Sequence, residues 1–295
     1  MKKISYLILI YLLVSCGNRK NDFDATGTFE ATEITVSSEA SGRILSLNIT
    51  EGQEVTAGEQ LGAIDSVQLY LTKLQLLKNV SSVVSNRPNI SVQIAALKEQ
   101  IAKQKIEQAR IENLFKSRAA TQKQVDDVNS SVTVLERQLA ALQSSLQNNV
   151  SSLDAQSSAI EIQIAQTEDK LSKCVITSPV SGTILNKYTE AGELAVIGKP
   201  LFKVADTKHL FLRAYMTLEQ LKDIQIGQKV KVFADFGGNN HREYAGTITW
   251  ISDKSEFTPK SIQTKNDRAN LVYALKVAIE NDGFIKIGMY GEINL

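Results

Sequence analysis

Aromatic side chains make up only 6% of this 295-residue chain, which has one tryptophan, two cysteines and two histidines. So few aromatics, beside 43% apolar residues overall, suit a folded protein with a large share of coiled coil. Nor does charge of one sign dominate, since 33 Lys and Arg face 32 Asp and Glu. That balance offers no basic groove, so no nucleic-acid partner is expected. His209 and His241 lack metal-ligand spacing and read as loop or strand-edge residues. Gly-x-Ser-x-Gly and the phosphate-binding Gly-x-x-x-x-Gly-Lys-Ser/Thr are both missing; Gly198-Lys199-Pro200 reads as a β-turn. Asp126 and Asp127 point to different faces of a helix and cannot form a catalytic pair. No enzyme activity, cofactor or metal is therefore expected, and the chain supplies no energy source of its own.

The chain also lacks a long hydrophobic run. Ile4 to Val14, after Lys2-Lys3, is too short to span a bilayer but suits a signal-peptide core. It ends in Leu13-Val14-Ser15-Cys16, which resembles the lipobox cleaved ahead of a diacylated cysteine. Residues 1–16 are read as a lipoprotein signal peptide with its lipobox cysteine, and 17–26 as a polar tether. An uncleaved short anchor is the alternative. Acyl chains on Cys16 would hold the exported body to a membrane, each buried methylene contributing about 0.8 kcal/mol. Cys174 then has no disulfide partner and is expected to be a small buried hydrophobe.

What is present is an internal repeat. Ser41-Gly42-Arg43-Ile44-Leu45, Glu51-Gly52-Gln53 and Gly58-Glu59-Gln60-Leu61 return as Ser181-Gly182-Thr183-Ile184-Leu185, Ala191-Gly192-Glu193 and Gly198-Lys199-Pro200-Leu201. Every counterpart lies 140 positions further on, without a gap. Each copy reads as short strands joined by turns at Gly42, Gly52 and Gly58, or Gly182, Gly192 and Gly198; the second and third of each set supply positive φ.

Residues 67–173, between the copies, read as an antiparallel α-hairpin with its tip near 117–122. In the descending arm Val125, Val128, Val132, Leu135, Leu139, Leu142 and Leu146 alternate steps of three and four. The ascending arm answers with Ile90, Ile94, Leu97, Ile101, Ile111 and Phe115, with Gln104 and Gln108 at the polar places. Thr121 is placed to cap the descending helix. Pro88 interrupts the ascending arm near 86–89, and the polar stretch 147–152 opposite suggests a weak joint through both arms, with fast amide exchange expected around 80–90 and 147–157. After Leu201 short strands predominate, with one helical turn near Leu218–Ile224, as suits a small barrel.

Two half-motifs of this kind clasp face to face in the biotinyl/lipoyl carrier fold, but a carrier needs a modifiable lysine on a hairpin between the halves. Lys73 and Lys173 lie in helix instead. With the halves split by a long hairpin, the chain resembles the periplasmic adaptor subunits of tripartite efflux pumps, the membrane fusion proteins of hemolysin-D type. Gln228 to Val232, Glu256-Phe257-Thr258-Pro259-Lys260 with Gln263-Thr264 and Arg268, and Ile287 to Gly291 extend the likeness over nearly all of the mature chain.

The resemblance implies an α+β multidomain architecture: a split lipoyl-like domain (40–66 and 174–204), the hairpin, and a β-barrel domain (205–295) joined by an N-terminal strand (27–39). At the tip, Arg110, Leu114 and Thr121 match the Arg-Leu-Ser pattern by which adaptor hairpins dock on a TolC-like outer-membrane channel, with threonine in place of serine; Arg118 stands one turn beyond Leu114. The family further implies an inner-membrane transporter as partner, a hexameric ring, and a periplasmic protein lipid-anchored to the inner membrane. An ATP-binding-cassette (ABC) transporter is favoured, because the residues up to Leu295 leave a membrane-proximal part reduced or absent. The alternatives are a proton-driven RND-type pump, or a lipoprotein that bridges structures or binds a small ligand.

Overall fold

The structure is a computed structural model and describes residues 23–237, 240–257 and 271–295. The signal-peptide segment, Cys16, most of the tether, and Thr258 to Lys260 with Gln263, Thr264 and Arg268 lie outside the described residues. The chain forms two units: one takes the described residues up to Ala63 together with Ile176–Leu295, the other Ile64–Val175.

In the first unit the repeat is a reciprocal clasp. Strands β2 (Gly42–Leu47), β3 (Glu54–Val55) and β4 (Gln60–Ile64) recur as β6 (Gly182–Lys187), β7 (Leu194–Ala195) and the start of β8 (Pro200–Thr217), with β5 (Val175–Thr177) preceding the second copy. Each copy pairs with the other: Gly42 faces Ala195 across β2 and β7, and Gly182 faces Val55 across β6 and β3. The turns are pinned the same way. Gly52 N–H donates to Ile184 O at 2.8 Å, and Gly192 N–H to Ile44 O at 2.7 Å. Gly52 and Gly192 have φ of 85° and 95°, which lets the chain reverse tightly enough to reach the opposite copy. Ile44 and Ile184 are wholly buried, so equal sequence spacing becomes a pseudo-twofold core.

Gly42 and Gly182 were expected in turns, but they begin strands β2 and β6. At Gly182 the constraint is contact, not φ: a β-carbon there would stand 2.1 Å from Ala205 O.

The barrel closes on itself. Its order is β1 (Ala25–Ser37), β12 (Tyr290–Asn294), β9 (Lys229–Asp235), β10 (His241–Phe257), β11 (Leu271–Glu280) and β8, which pairs back to β1. Alternation drives this: Ala25, Gly27 and Phe29 of β1 point inward, and Leu212, Ala214 and Met216 of β8 meet them in a core with Val232, Leu275, Val277 and Ile293. Where short strands were expected after Leu201, Leu201–Ala205 and Leu210–Tyr215 are both parts of one long strand, β8. The polar residues between them form a bulge opposite Thr32, where Asp206 accepts from the Lys208 and His209 amides at 3.0 and 3.2 Å. The expected helical turn is a short 3-10 helix, Gln220–Asp223.

The second unit has three helices: α1 (Val67–Ser85), α2 (Ile90–Lys116) and α3 (Gln122–Ser172). Both α1 and α2 pack on α3, whose 51 residues reach ~76 Å at 1.5 Å per residue. Lys73–Glu168 at 2.8 Å, Arg87–Asp154 and Lys105–Glu136 at 2.7 Å hold the antiparallel register. Gln108 Nε2 donates to Asn129 Oδ1 at 2.8 Å and so satisfies a polar place in the seam. No helix among the described residues is long and apolar enough to cross a membrane.

The break at Asn86–Asn89 is one-sided, which corrects the joint expected through both arms. Asn89 caps α2 by accepting from Val92 N–H, while α3 runs unbroken through 147–157. Its inward seam continues past Leu146 to Val150, Leu153 and Ser157 by steps of four, three and four. Leu142, Leu146 and Val150 are thus two successive steps of four, a stutter, which locally unwinds the pairing without interrupting the backbone bonds. Amide exchange is therefore expected to be fast at Asn86–Asn89 and slow through Gln147–Ser157; fast exchange on both sides would restore the two-armed joint.

Cys174, beyond the end of α3, is buried, and its Sγ lies 3.4 Å from Lys170 O. Burial first and the Asp65 carboxylate second push its thiol up from the ordinary range. Little thiolate is therefore present at neutral pH. Maleimide labelling of the native protein should be at least tenfold slower than in denaturant, and equal rates would contradict the burial.

Candidate functional site

The hairpin tip is built by two opposed capping motifs. α2 ends in a Schellman arrangement, with Arg118 N–H donating to Phe115 O at 2.9 Å and Ala119 N–H to Leu114 O at 2.8 Å. This ending places one residue in the left-handed region, and here it is Arg118, at φ 63°. Glycine usually fills the place, since a β-carbon costs about 1 kcal/mol there. Arg118 is the one non-glycine residue with positive φ among the described residues.

On the other side Thr121 is the N-cap of α3 in a capping box with Gln124. Thr121 N–H donates to Gln124 Oε1 at 2.8 Å, and the threonine hydroxyl accepts from Gln124 N–H at 3.4 Å. The same hydroxyl lies 3.1 Å from Gln124 Oε1. Thr121 is therefore committed to holding the turn.

Arg110 and Leu114 lie one turn apart in the last stretch of α2. Arg110 is 72% exposed and meets Glu107 at 3.6 Å, a surface pair worth about 1 kcal/mol or less, so its guanidinium is free to be taken by a partner. Leu114 is half-buried, and Ser117 Oγ donates to its carbonyl at 2.9 Å. Phe115, expected in the seam, is instead 40% exposed. Continuing the register from the Gln108–Asn129 pair sets Phe115 level with the first turn of α3, where Gln122 and Gln124 offer it no apolar partner. By the same register Arg110 is level with Asp127, so the tip from 110 to 127 sets Arg110, Lys116, Arg118 and Lys123 against Glu112, Asp126 and Asp127. The tip is thus nearly balanced in charge, with an aromatic ring on its surface.

Elsewhere the chemistry is sparse. An open cleft of about 980 Å³ in the first unit is lined by Glu54, Lys208, His209, Glu280, Asp282 and Lys286, charges of both signs. Burial pushes the Asp206 carboxyl beside it up, but hydrogen bonds from the His209 ring and the His209 and Lys208 amides outweigh that and hold it below the usual range. Among the described residues no three His, Cys, Asp or Glu side chains stand close enough together to hold a metal.

A strand-clasped β-pair interrupted by a helical hairpin defines the class, a barrel-sandwich hybrid domain. The family model described as RND MFP (membrane fusion protein), barrel-sandwich hybrid domain, matches residues 32–207, and the chain belongs to that family. It is 26% identical to a UPF0194 membrane protein of Citrobacter koseri, covering 91% of this chain and 87% of that one. It is also 26% identical to the UPF0194 membrane protein YE2891 of Yersinia enterocolitica, over 98% and 96% of the two chains. Among solved structures, MacA from Actinobacillus actinomycetemcomitans is similar in fold at a TM-score of 0.53, with 20% identity and coverage of 91% of this chain and 76% of that chain. The membrane fusion protein Spr0693 from Streptococcus pneumoniae R6 gives a TM-score of 0.52, with 14% identity and coverage of 91% and 96%.

Proposed function

We propose that the chain is the periplasmic adaptor of a tripartite export system, joining an inner-membrane transporter to a TolC-like outer-membrane channel and catalysing no reaction itself. Membership of the membrane fusion protein family carries this reading, because the match spans both halves of the clasp and the hairpin between them. The tip supports it: an arginine sits where the backbone favours glycine, beside an exposed Phe115 and a weakly held Arg110. Arg110 and Arg118 would meet carbonyl or carboxylate groups at the channel mouth, Leu114 and Phe115 would fill a groove between its helices, and Thr121 would hold the turn. The rest of the proposal is a lipid on Cys16 holding the protein to the inner membrane and a ring of copies, hexameric as in the family resemblance.

An ABC-type transporter is the partner we favour, with the closed barrel as the face that would meet it. One observation favours a proton-driven pump instead, namely that the matching model is that of RND membrane fusion proteins. Affinity capture of the detergent-extracted protein, read by mass spectrometry, tests both. Recovery of a transporter and an outer-membrane channel is expected, and the transporter's class decides between the readings. Capture of neither would overturn the adaptor function.

A further inference from the structure

One carboxylate oxygen on the barrel is sealed from water without a partner. Glu292 of β12 lies between Thr26 of β1 and Phe233 of β9, and its Oε2 is buried and makes no hydrogen bond. A carboxylate oxygen in that state is costly, so it marks a place where a donor belongs. A donor stands close by. Nδ1 of His241, at the start of β10, is 3.8 Å from Glu292 Oε2, too far for a hydrogen bond and within a small side-chain rotation of one.

Phe23 covers this pair. Its ring centroid is 5.6 Å from that of the imidazole and 5.3 Å from that of Phe233, and the ring is half-buried. The next residue is tied down three ways. Asp24 N–H donates to Ile293 O at 2.9 Å, its carbonyl accepts from Gln220 Nε2 at 2.6 Å, and its carboxylate accepts from the Leu295 amide at 2.9 Å. The chain thus enters β1 as a strap laid across the outer face of β12 and β9, with Phe23 over the place where Glu292 and His241 meet.

The other ionisable groups of this face have partners of their own or point to water. Glu243, two residues along β10, pairs with Lys231 of β9 at 2.9 Å. Asp235, opposite His241 on β9, accepts from the Gly237 amide at 2.7 Å, and Arg242 pairs with Asp282 at 2.8 Å. Tyr290, two residues before Glu292, is exposed. That leaves His241 to answer Glu292.

We propose that Phe23, His241 and Glu292 form a proton-dependent latch on the N-terminal strap of the barrel. A neutral imidazole carries one N–H and no charge to offset the sealed carboxylate. The imidazolium donates from both nitrogens, so Nδ1–H can close on Glu292 Oε2 while the positive ring lies against Phe23. Histidine is the side chain that changes charge between about pH 5 and 8, so the latch is closed on the acid side of that range and is lost as pH rises through it. Closing it fixes where the chain leaves the barrel toward Cys16. The latch rests on the barrel alone and is independent of a lipid on Cys16 and of the choice of transporter and channel.

Hydrogen exchange of the full-length, detergent-extracted protein, corrected for the intrinsic pH dependence of amide exchange, tests it. The Asp24 and Leu295 amides are bonded only while the strap lies down. Their protection is expected to rise about fivefold or more from roughly pH 8 to pH 5.5, relative to the amides of β11, which report opening of the whole barrel. His241→Gln and Glu292→Gln should each abolish that rise while β11 keeps its wild-type protection. Phe23→Ala should abolish it too, because water then reaches Glu292. A wild-type protein without the rise, or a rise that survives His241→Gln, overturns the proposal. So does a rise that survives Glu292→Gln, since the sealed carboxylate would then not be the partner. Capture of no channel or transporter by a protein that shows the pH response would overturn the adaptor function and leave the latch standing.

Discussion

Gly182→Ala is expected to be among the most damaging single substitutions in the first unit, with a loss of about 4 kcal/mol or more or failure to fold. The added carbon would stand 2.1 Å from Ala205 O and 2.7 Å from its carbonyl carbon, both backbone atoms of β8. No side chain can swing aside, so relief requires β6 to move off β8. That movement would also strain the neighbouring Gly52–Ile184 bond, on which the clasp depends. Gly192→Ala is the control. There φ is 95° and nothing lies within 4 Å of the new carbon, so the cost is the left-handed strain alone, about 1–2 kcal/mol. Urea midpoints of the two variants separate these costs. Equal losses would mean that the close approach of β6 to β8 is not a constraint.

The second large effect is functional. Arg110→Asp reverses a charge that only a 3.6 Å pair with Glu107 occupies, so the hairpin itself should lose less than about 1 kcal/mol. A truncated charge in a desolvated contact typically costs about 2 kcal/mol or more, so recovery of the outer-membrane channel should fall at least tenfold while the transporter is retained. Arg118→Gly makes a sharper comparison. Relieving the φ of 63° should stabilise the hairpin by about 1 kcal/mol, yet channel recovery should drop because the cation is gone. A more stable hairpin with undiminished capture would show that Arg118 is merely tolerated at the turn.

The clasp was the most legible part of the fold. Its repeat keeps perfect register over 140 positions because each glycine turn donates into the other copy, so an insertion in either half would break two sets of bonds. The α2–α3 seam was legible for a similar reason, since heptad spacing is a direct trace of helix contact. Reading failed where local polarity masked long-range pairing. Asp206 to His209 look like a turn between strands, yet they form a bulge inside β8 because β1 continues alongside on both sides of it. Asn148 and Asn149 look like a joint, yet α3 carries on since its inward seam shifts by one stutter and keeps burying Val150 and Leu153.

At the tip the residue types were readable and their roles only in part. Extending the seam spacing to Phe115 overlooked that α3 starts at Gln122, too late to cover the ring. Arg118 gave no signal of its backbone state, because the sequence mark of a left-handed cap is glycine.

The most direct test of the adaptor account places a photo-crosslinking amino acid at Ser117, in the tip turn, and irradiates intact cells. The account predicts one dominant adduct, to an outer-membrane channel protein, that disappears with Arg110→Asp. Adducts confined to inner-membrane proteins, or an outer-membrane adduct indifferent to Arg110→Asp, would contradict it.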